Sequence, residues 1–240
     1  MPAGVGVTAA HGRLIEVDPL RQDTVAGAAA AAAEALAVGG LVIMPTETVY
    51  GIACTAGDPR ATAQLFEAKR RPRELLLAVL VPSAASAWEV ARPSPAAEAL
   101  AAAFWPGPLT MVLPRTTRSL PWDLGHPQGD RPATVAVRVP DHPVALAVLE
   151  RTGPLATTSA NLTATPPLDD AADLLRTFGE AVSVCLVMTP QAPAASGYPS
   201  TVLDLAEGSV RVLRAGALHP SRVRAELERV LPGTQWVDFD

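Results

Sequence analysis

Two short stretches of the 240-residue chain end an apolar run in side chains able to hold a ligand. In the first, residues 41–44 read as a buried strand between the Gly39-Gly40 pair and Pro45, and it opens into Thr46, Glu47, Thr48 and Tyr50 before Gly51. In the second, residues 155–158 are strand-like and finish in Thr157, Thr158, Ser159, Ala160 and Asn161. Hydroxyls, an amide and a carboxylate at a strand's carboxyl end are groups that orient a bound molecule in an α/β fold. A strand leaving the core through a polar turn is the plainer account of either stretch. Cations form the third component. Lys69, Arg70 and Arg71 precede Pro72, which stops a helix and leaves them on its last turn and exit loop, with side chains expected to reach outward. Residues 134–139 alternate with period two, so Thr134 and Arg138 point the same way, opposite Val135, Val137 and Val139. An arginine among valines needs a partner or water, which an edge strand with a solvated face would supply.

The elements that must position these residues alternate in type. Residues 13–17 suit a short strand, and Asp23 or Thr24 can cap a helix through Val38 that Gly39 and Gly40 close. Asp58-Pro59 opens a second helix, and the apolar run 75–81 fits an interior strand. Helices are expected at 84–90 and 94–104, the latter with Ser94 as cap and Pro95 in its first position, and a strand at 109–113. Residues 115–132 read as a long surface loop. Further helices are expected from Asp141 or Pro143 to Arg151, at 169–178 and at 221–231. A strand at 183–187 and a hairpin of 201–205 with 210–213 about Glu207-Gly208 complete the set. The Pro/Ala/Gly loop 189–199 is a candidate lid. Residues 1–12 suit a loose tail, and 13–240 one domain.

Composition limits the function classes. A net charge of −5 and a pI of about 5.4 argue against a protein that grips a polyanion through a broad basic surface, yet leave room for a few cations on a nucleotide. Aromatic residues are only 4% of the chain, so Phe66, Trp88, Phe104, Trp105 and Trp122 are expected to anchor packing. Cys54 and Cys185, with His11, His126, His142 and His219, lack metal-ligand spacing, so no protein-held metal is expected; a single disulfide stays open. The N-terminal region lacks the pattern of an export signal and no apolar run reaches membrane-helix length, which points to the cytoplasm.

Seven segments taken in order carry a family likeness: Pro45-Thr46-Glu47-Thr48-Val49-Tyr50-Gly51, Glu67-Ala68-Lys69-Arg70-Arg71-Pro72, Trp105-Pro106-Gly107-Pro108-Leu109-Thr110, Arg138-Val139-Pro140-Asp141-His142-Pro143, Thr158-Ser159-Ala160-Asn161, Ser200-Thr201-Val202-Leu203-Asp204 and Leu213-Arg214-Ala215-Gly216. In order and spacing they resemble the YrdC-like family of threonylcarbamoyl-adenylate synthases, including its Lys-x-Arg and Ser-x-Asn signatures at Lys69/Arg71 and Ser159/Asn161. The resemblance implies a single α/β domain, a twisted mixed sheet with flanking helices and a large, positively lined cavity. It also implies the conversion of L-threonine, bicarbonate and ATP to threonylcarbamoyl-AMP and pyrophosphate, with magnesium on the nucleotide. The product would feed a transferase that modifies the tRNA adenosine beside the anticodon.

By position in the family's motifs, Thr46, Arg138, Thr157 and Ser200 fall on the threonine side, and Lys69, Arg71, Thr134, Ser159, Asn161 and Arg214 on the ATP side, with Lys69 and Arg71 as the catalytic pair. Tyr50 reads as a cavity wall, Glu47 as a salt bridge or cap with a proton or magnesium role open, and His142 as helix-start structure. Residues 73–80 lack the Asn-Pro and the histidine that longer members carry, and Ala164 and Ala215 replace a frequent glycine and proline. An RNA-binding module of the same fold, a carbamoyl-adenylate enzyme with another acceptor, and a member with lost or changed activity are the alternatives.

Overall fold

The computed structural model describes residues 12–126, 133–193 and 195–237. All of the expected tail except Gly12, and residues 127–132 of the expected loop, lie outside the described residues.

Strand β1 (Arg13–Val17) leads to helix α1 (Gln22–Ala37), and a tight turn returns the chain into β2 (Val42–Met44). That turn is made by Gly39 at φ +81°: its N–H donates to the Leu36 carbonyl at 3.1 Å and the Gly40 N–H to the Ala35 carbonyl at 2.9 Å, satisfying two of the helix's terminal acceptors. At the other end the cap position is Arg21 and has no side-chain cap, while Asp23 lies in the first turn, so neither expected cap is used. Strand β3 (Gly51–Thr55) follows, then α2 (Pro59–Ala68), whose Asp58 cap accepts from Arg60 N and Ala61 N as the sequence predicts. β4 is only Ala78–Leu80, shorter than the apolar run suggested; Leu75 and Leu76 lie ahead of it and present carbonyls to Arg71.

Helices α3 (Ala84–Val90) and α4 (Pro95–Phe104) precede β5 (Leu109–Pro114) and β6 (Thr134–Arg138). Then come α5 (Pro143–Thr152), β7 (Leu155–Ser159), α6 (Ala171–Phe178), β8 (Val184–Met188), β9 (Thr201–Asp204), β10 (Val210–Arg214), α7 (Pro220–Val230) and β11 (Trp236–Val237). The strands form one mixed sheet in the order β1-β8-β2-β3-β7-β4-β6-β5-β9-β10-β11. β6 therefore lies inside the sheet, parallel to β4 and antiparallel to β5, and the edge-strand account of Arg138 fails. The expected hairpin of β9 and β10 is present.

Strand alternation divides the core in two. Ile43, Ile52, Cys54, Val79, Met111, Val137, Ala156 and Leu203 face the larger cluster, which includes residues of α2, α3, α4, α6 and α7. Val42, Met44, Ala53, Leu155, Val184 and Leu186 face α1 and α5 on the other side. There Ala28, Ala29 and Ala32 of α1, together with Ala145, Val148 and Leu149 of α5, let the two helices approach closely. Fully burying a leucine or isoleucine contributes about 1.5–3 kcal/mol, so both layers stabilise the sheet substantially. Cys54 and Cys185 are buried free thiols, which settles the disulfide question.

Candidate active site

The face of the sheet shared with α1 and α5 continues past those helices into an open cavity of about 550 Å³. Cross-strand register places one row of side chains along its floor: Thr157 on β7 beside Ala78 on β4, then Ala136 on β6, Val112 on β5 and Asp204 on β9. Hydroxyl and carboxylate stand at the ends of the row, and the middle is apolar, with two alanines that create depth. Leu80 and Arg138 form the neighbouring pair, with Thr110 and Val202 beyond.

Three arginines converge on this cavity. Arg138, at the end of β6, is 7% exposed; its Nε donates to Gly107 O at 3.1 Å, and its Nη2 to Glu47 Oε1 at 2.6 Å and to Thr48 Oγ1 at 3.0 Å. Burial pulls its pKa below the ordinary arginine value and the Glu47 carboxylate opposes that pull. Arg71 donates from Nε to Leu75 O at 2.7 Å and from Nη2 to Leu76 O at 2.9 Å. Arg214 donates from Nε to Ser200 O at 2.9 Å and from Nη2 to Ser200 Oγ at 3.1 Å, and Ser200 Oγ lies 2.8 Å from Thr110 Oγ1. Burial lowers both pKa values, and like charge adds to it, Arg214 acting on Arg71 and Arg138 on Arg214. Gly216 seats this end of β10, because a Cβ there would stand 2.2 Å from Pro199 O.

The segment 45–50 is folded around Thr46. Its Oγ1 accepts from Thr48 N and Val49 N, both at 3.2 Å, and donates to Val49 O at 2.6 Å. Thr48 Oγ1, which accepts from Arg138, therefore donates to Thr46 Oγ1 at 2.9 Å, so the hydroxyl protons run in one direction. The segment separates the cavity from a second one of about 640 Å³, bordered by Glu47, Tyr50 and His142. Tyr50 Oη accepts from Met188 N at 3.0 Å, so Tyr50 is a wall, of this second cavity. Glu47 Oε2 and His142 Nδ1 are buried without a hydrogen-bond partner. His142 occupies the N-cap position of α5, and burial lowers its pKa.

These features are matched outside the chain. The family profile Sua5/YciO/YrdC, described as telomere recombination, covers residues 34–216. The chain belongs to the Sua5/YciO/YrdC family. A Mycobacterium leprae member is 41% identical over 206 residues, 85% of this chain and 90% of its own length. The threonylcarbamoyl-AMP synthase of Alkalilimnicola ehrlichii is 36% identical over 178 residues, 73% of this chain and 90% of its own length. Pyrococcus abyssi Sua5, solved in complex with L-threonine, superimposes with a TM-score of 0.74 at 33% identity, over 93% of this chain and 62% of that one.

Of the ten residues marked through the family's motifs, Thr46, Arg71, Thr134, Arg138, Thr157, Ser159, Ser200 and Arg214 line the cavity. Lys69 and Asn161 do not. Lys69 is 1% exposed and its Nζ donates to Ser159 O at 2.5 Å, Asn161 O, and Asn161 Oδ1 at 3.3 Å. The expectation that it reaches outward is therefore wrong. Burial, reinforced by the Arg71 charge, pulls its pKa down to about 8. Asn161 Nδ2 donates to the Leu162 and Thr165 carbonyls, so its amide is used inside the loop. Sequence reasoning passed over Thr110 and Asp204 as site residues and gave Thr48 no assigned role, although all three lie within the quoted motifs and line the cavity.

Proposed function

We propose that the chain is a threonylcarbamoyl-AMP synthase, which joins L-threonine, bicarbonate and ATP into threonylcarbamoyl-AMP with release of pyrophosphate. The observation that carries this reading is three arginines around one cavity, Arg138 buried, Arg71 half-buried and Arg214 exposed at its rim, of which only Arg138 has a carboxylate partner among the hydrogen bonds described. Two guanidiniums resting on neutral oxygens and repelling one another are neutralised by an incoming polyanion. Relatives named for this reaction, and a neighbour solved with L-threonine, support the same reading.

The chemistry asks little covalent work of the protein. Threonine's amine condenses with bicarbonate, losing water, and the resulting carbamate carboxylate attacks the α-phosphorus while pyrophosphate leaves. Holding three anions in line and neutralising growing charge is the task, and arginine forks suit both carboxylate and phosphate. Arg138 with Thr46, Thr157 and Ser200 is assigned to threonine; Arg71, Arg214, Thr134 and Ser159 are assigned to the nucleotide. Magnesium carried in on the triphosphate would neutralise charge on the leaving pyrophosphate. Among the described residues no group of three or more His, Cys, Asp or Glu could hold a metal alone, and Asp204 and Glu207 are cavity carboxylates suited to a nucleotide-borne ion. The reaction proposed is that of a nucleotidyltransferase, and its unstable product would need a transferase that delivers the group to tRNA. Among the described residues no helix is long and apolar enough to cross a membrane.

Pyrophosphate release from magnesium-ATP and bicarbonate, with and without L-threonine, tests the reading. Release is expected to require threonine, and Arg71→Ala and Arg214→Ala are each expected to lower it by about 100-fold, the scale of one preorganised charged donor. Release that is absent, or indifferent to threonine, overturns the assignment.

A further inference from the structure

Lys69 is the only lysine among 240 residues, against 18 arginines. Elsewhere the chain's basic side chains are guanidiniums or imidazoles, so the exception marks a place where a guanidinium does not serve. An ammonium is a compact point with three donors in a tetrahedral spread, whereas a guanidinium is a flat fork. At the C-cap of α2 the Lys69 ammonium meets three oxygens, Ser159 O, Asn161 O and Asn161 Oδ1, at full burial. Its three donors are matched by three acceptors, leaving none for a ligand.

The attachment runs in both directions. Thr163 Oγ1 donates to the Lys69 carbonyl at 3.2 Å, so the 159–165 loop holds the residue at backbone and side chain. The next residue, Arg70, turns left-handed at φ 47°, and Arg71 then reaches the cavity that Lys69 avoids. Of the turn that the ammonium gathers, Ser159 faces the cavity together with Thr158.

We propose that Lys69 is a positioning residue: its ammonium fixes the shape of the 159–161 turn, and through it the direction in which Ser159 and Thr158 meet the nucleotide, without touching phosphate. The inference rests on the reading of the cavity as a nucleotide site and assigns Lys69 a different task within it.

Lys69→Met removes the ammonium at similar length, and titration of wild type and variant with ATP, AMP and adenosine separates the two tasks. A positioning role weakens all three by the same factor, about tenfold, the scale of one charge-assisted hydrogen bond. Lys69→Arg is expected to do no better, because a flat fork does not replace a three-way point donor. A loss that grows from adenosine to ATP and is restored by arginine would mean direct phosphate contact and overturn the proposal, as would unchanged affinity for all three. A wild type that binds none of them overturns the nucleotide-site reading instead. Should Lys69→Met not fold, the wild type still supplies a readout, since acetylation mapped by mass spectrometry reports this one side-chain amine. Resistance to acetylation with and without ATP supports the proposal; ready labelling that ATP suppresses overturns it.

Discussion

Arg138 differs from its two neighbours in having an answer to its charge. The Glu47 carboxylate at 2.6 Å, with side-chain exposures of 8% for the arginine and 21% for the glutamate, forms a largely dry pair that also anchors the chain of hydroxyls through Thr48 to Thr46. Removing one partner of such a pair leaves the other charge buried and unmatched, which is worse than never having had the pair. Glu47→Ala is accordingly expected to destabilise the protein by about 2–4 kcal/mol, read as a lower urea midpoint. Thr48→Ala, which removes a neutral partner, is expected to cost about 1 kcal/mol. An equal shift for the two variants would show that the charge pair adds nothing beyond an ordinary hydrogen bond. Strand alternation drew attention to Arg138, and position in the family's motifs marked it together with the hydroxyls of Thr46, Thr157 and Ser200. Glu47 as the partner was not singled out, because its contact spans 91 positions and no local pattern records it.

At the scale of elements, the caps of α2 and α4 were the most readable features, unlike that of α1, and the exit from α2 was the least. Asp58 and Ser94 cap the helices that their spacing predicts, because an N-cap is a contact between near neighbours. Past Ala68, by contrast, the chain makes the same closing turn as α1, with Arg70 N on Glu67 O and Arg71 N on Phe66 O, each at 2.9 Å, but with arginine rather than glycine in the left-handed position. Without the glycine cue, nothing in the sequence signalled that Lys69 would turn inward. The same strain recurs at Ala164, φ 64°, so both loops joined by the Lys69 ammonium contain a non-glycine residue in that region. Arg70→Gly is expected to stabilise the protein by about 0.5–1 kcal/mol, seen as a higher urea midpoint at unchanged slope. A lower midpoint would mean that the Arg70 side chain contributes more than its backbone costs. β3 went unread because Gly51, Ala53 and Cys54 lack the branched and aromatic signature of a strand, and its place in the sheet comes from pairing with β2 and β7.

For the molecule as a whole, the governing asymmetry is that one face of the sheet packs on α2, α3, α4, α6 and α7, while the other is covered by α1 and α5 only over the part that runs from β1 through β7 to Leu80 of β4. The sequence carries the alternation that builds both faces. It does not say which polar face looks onto helix and which onto open space, since that depends on strand order, a long-range property. Where the second face is bare, Ala78 and Ala136 lie side by side on adjacent strands at the bottom of the cavity. A valine at 136 is a better strand residue than alanine and has room to stand, so Ala136→Val is expected to keep the melting temperature within about 2 °C while lowering pyrophosphate release by more than about 100-fold. Full activity in that variant would place the substrates elsewhere. Most core positions reject change because the protein comes apart. Here the protein would survive and the reaction would not, so the smallness of these two side chains is a constraint imposed by the guest, and a screen for folding alone would pass every variant that had lost it.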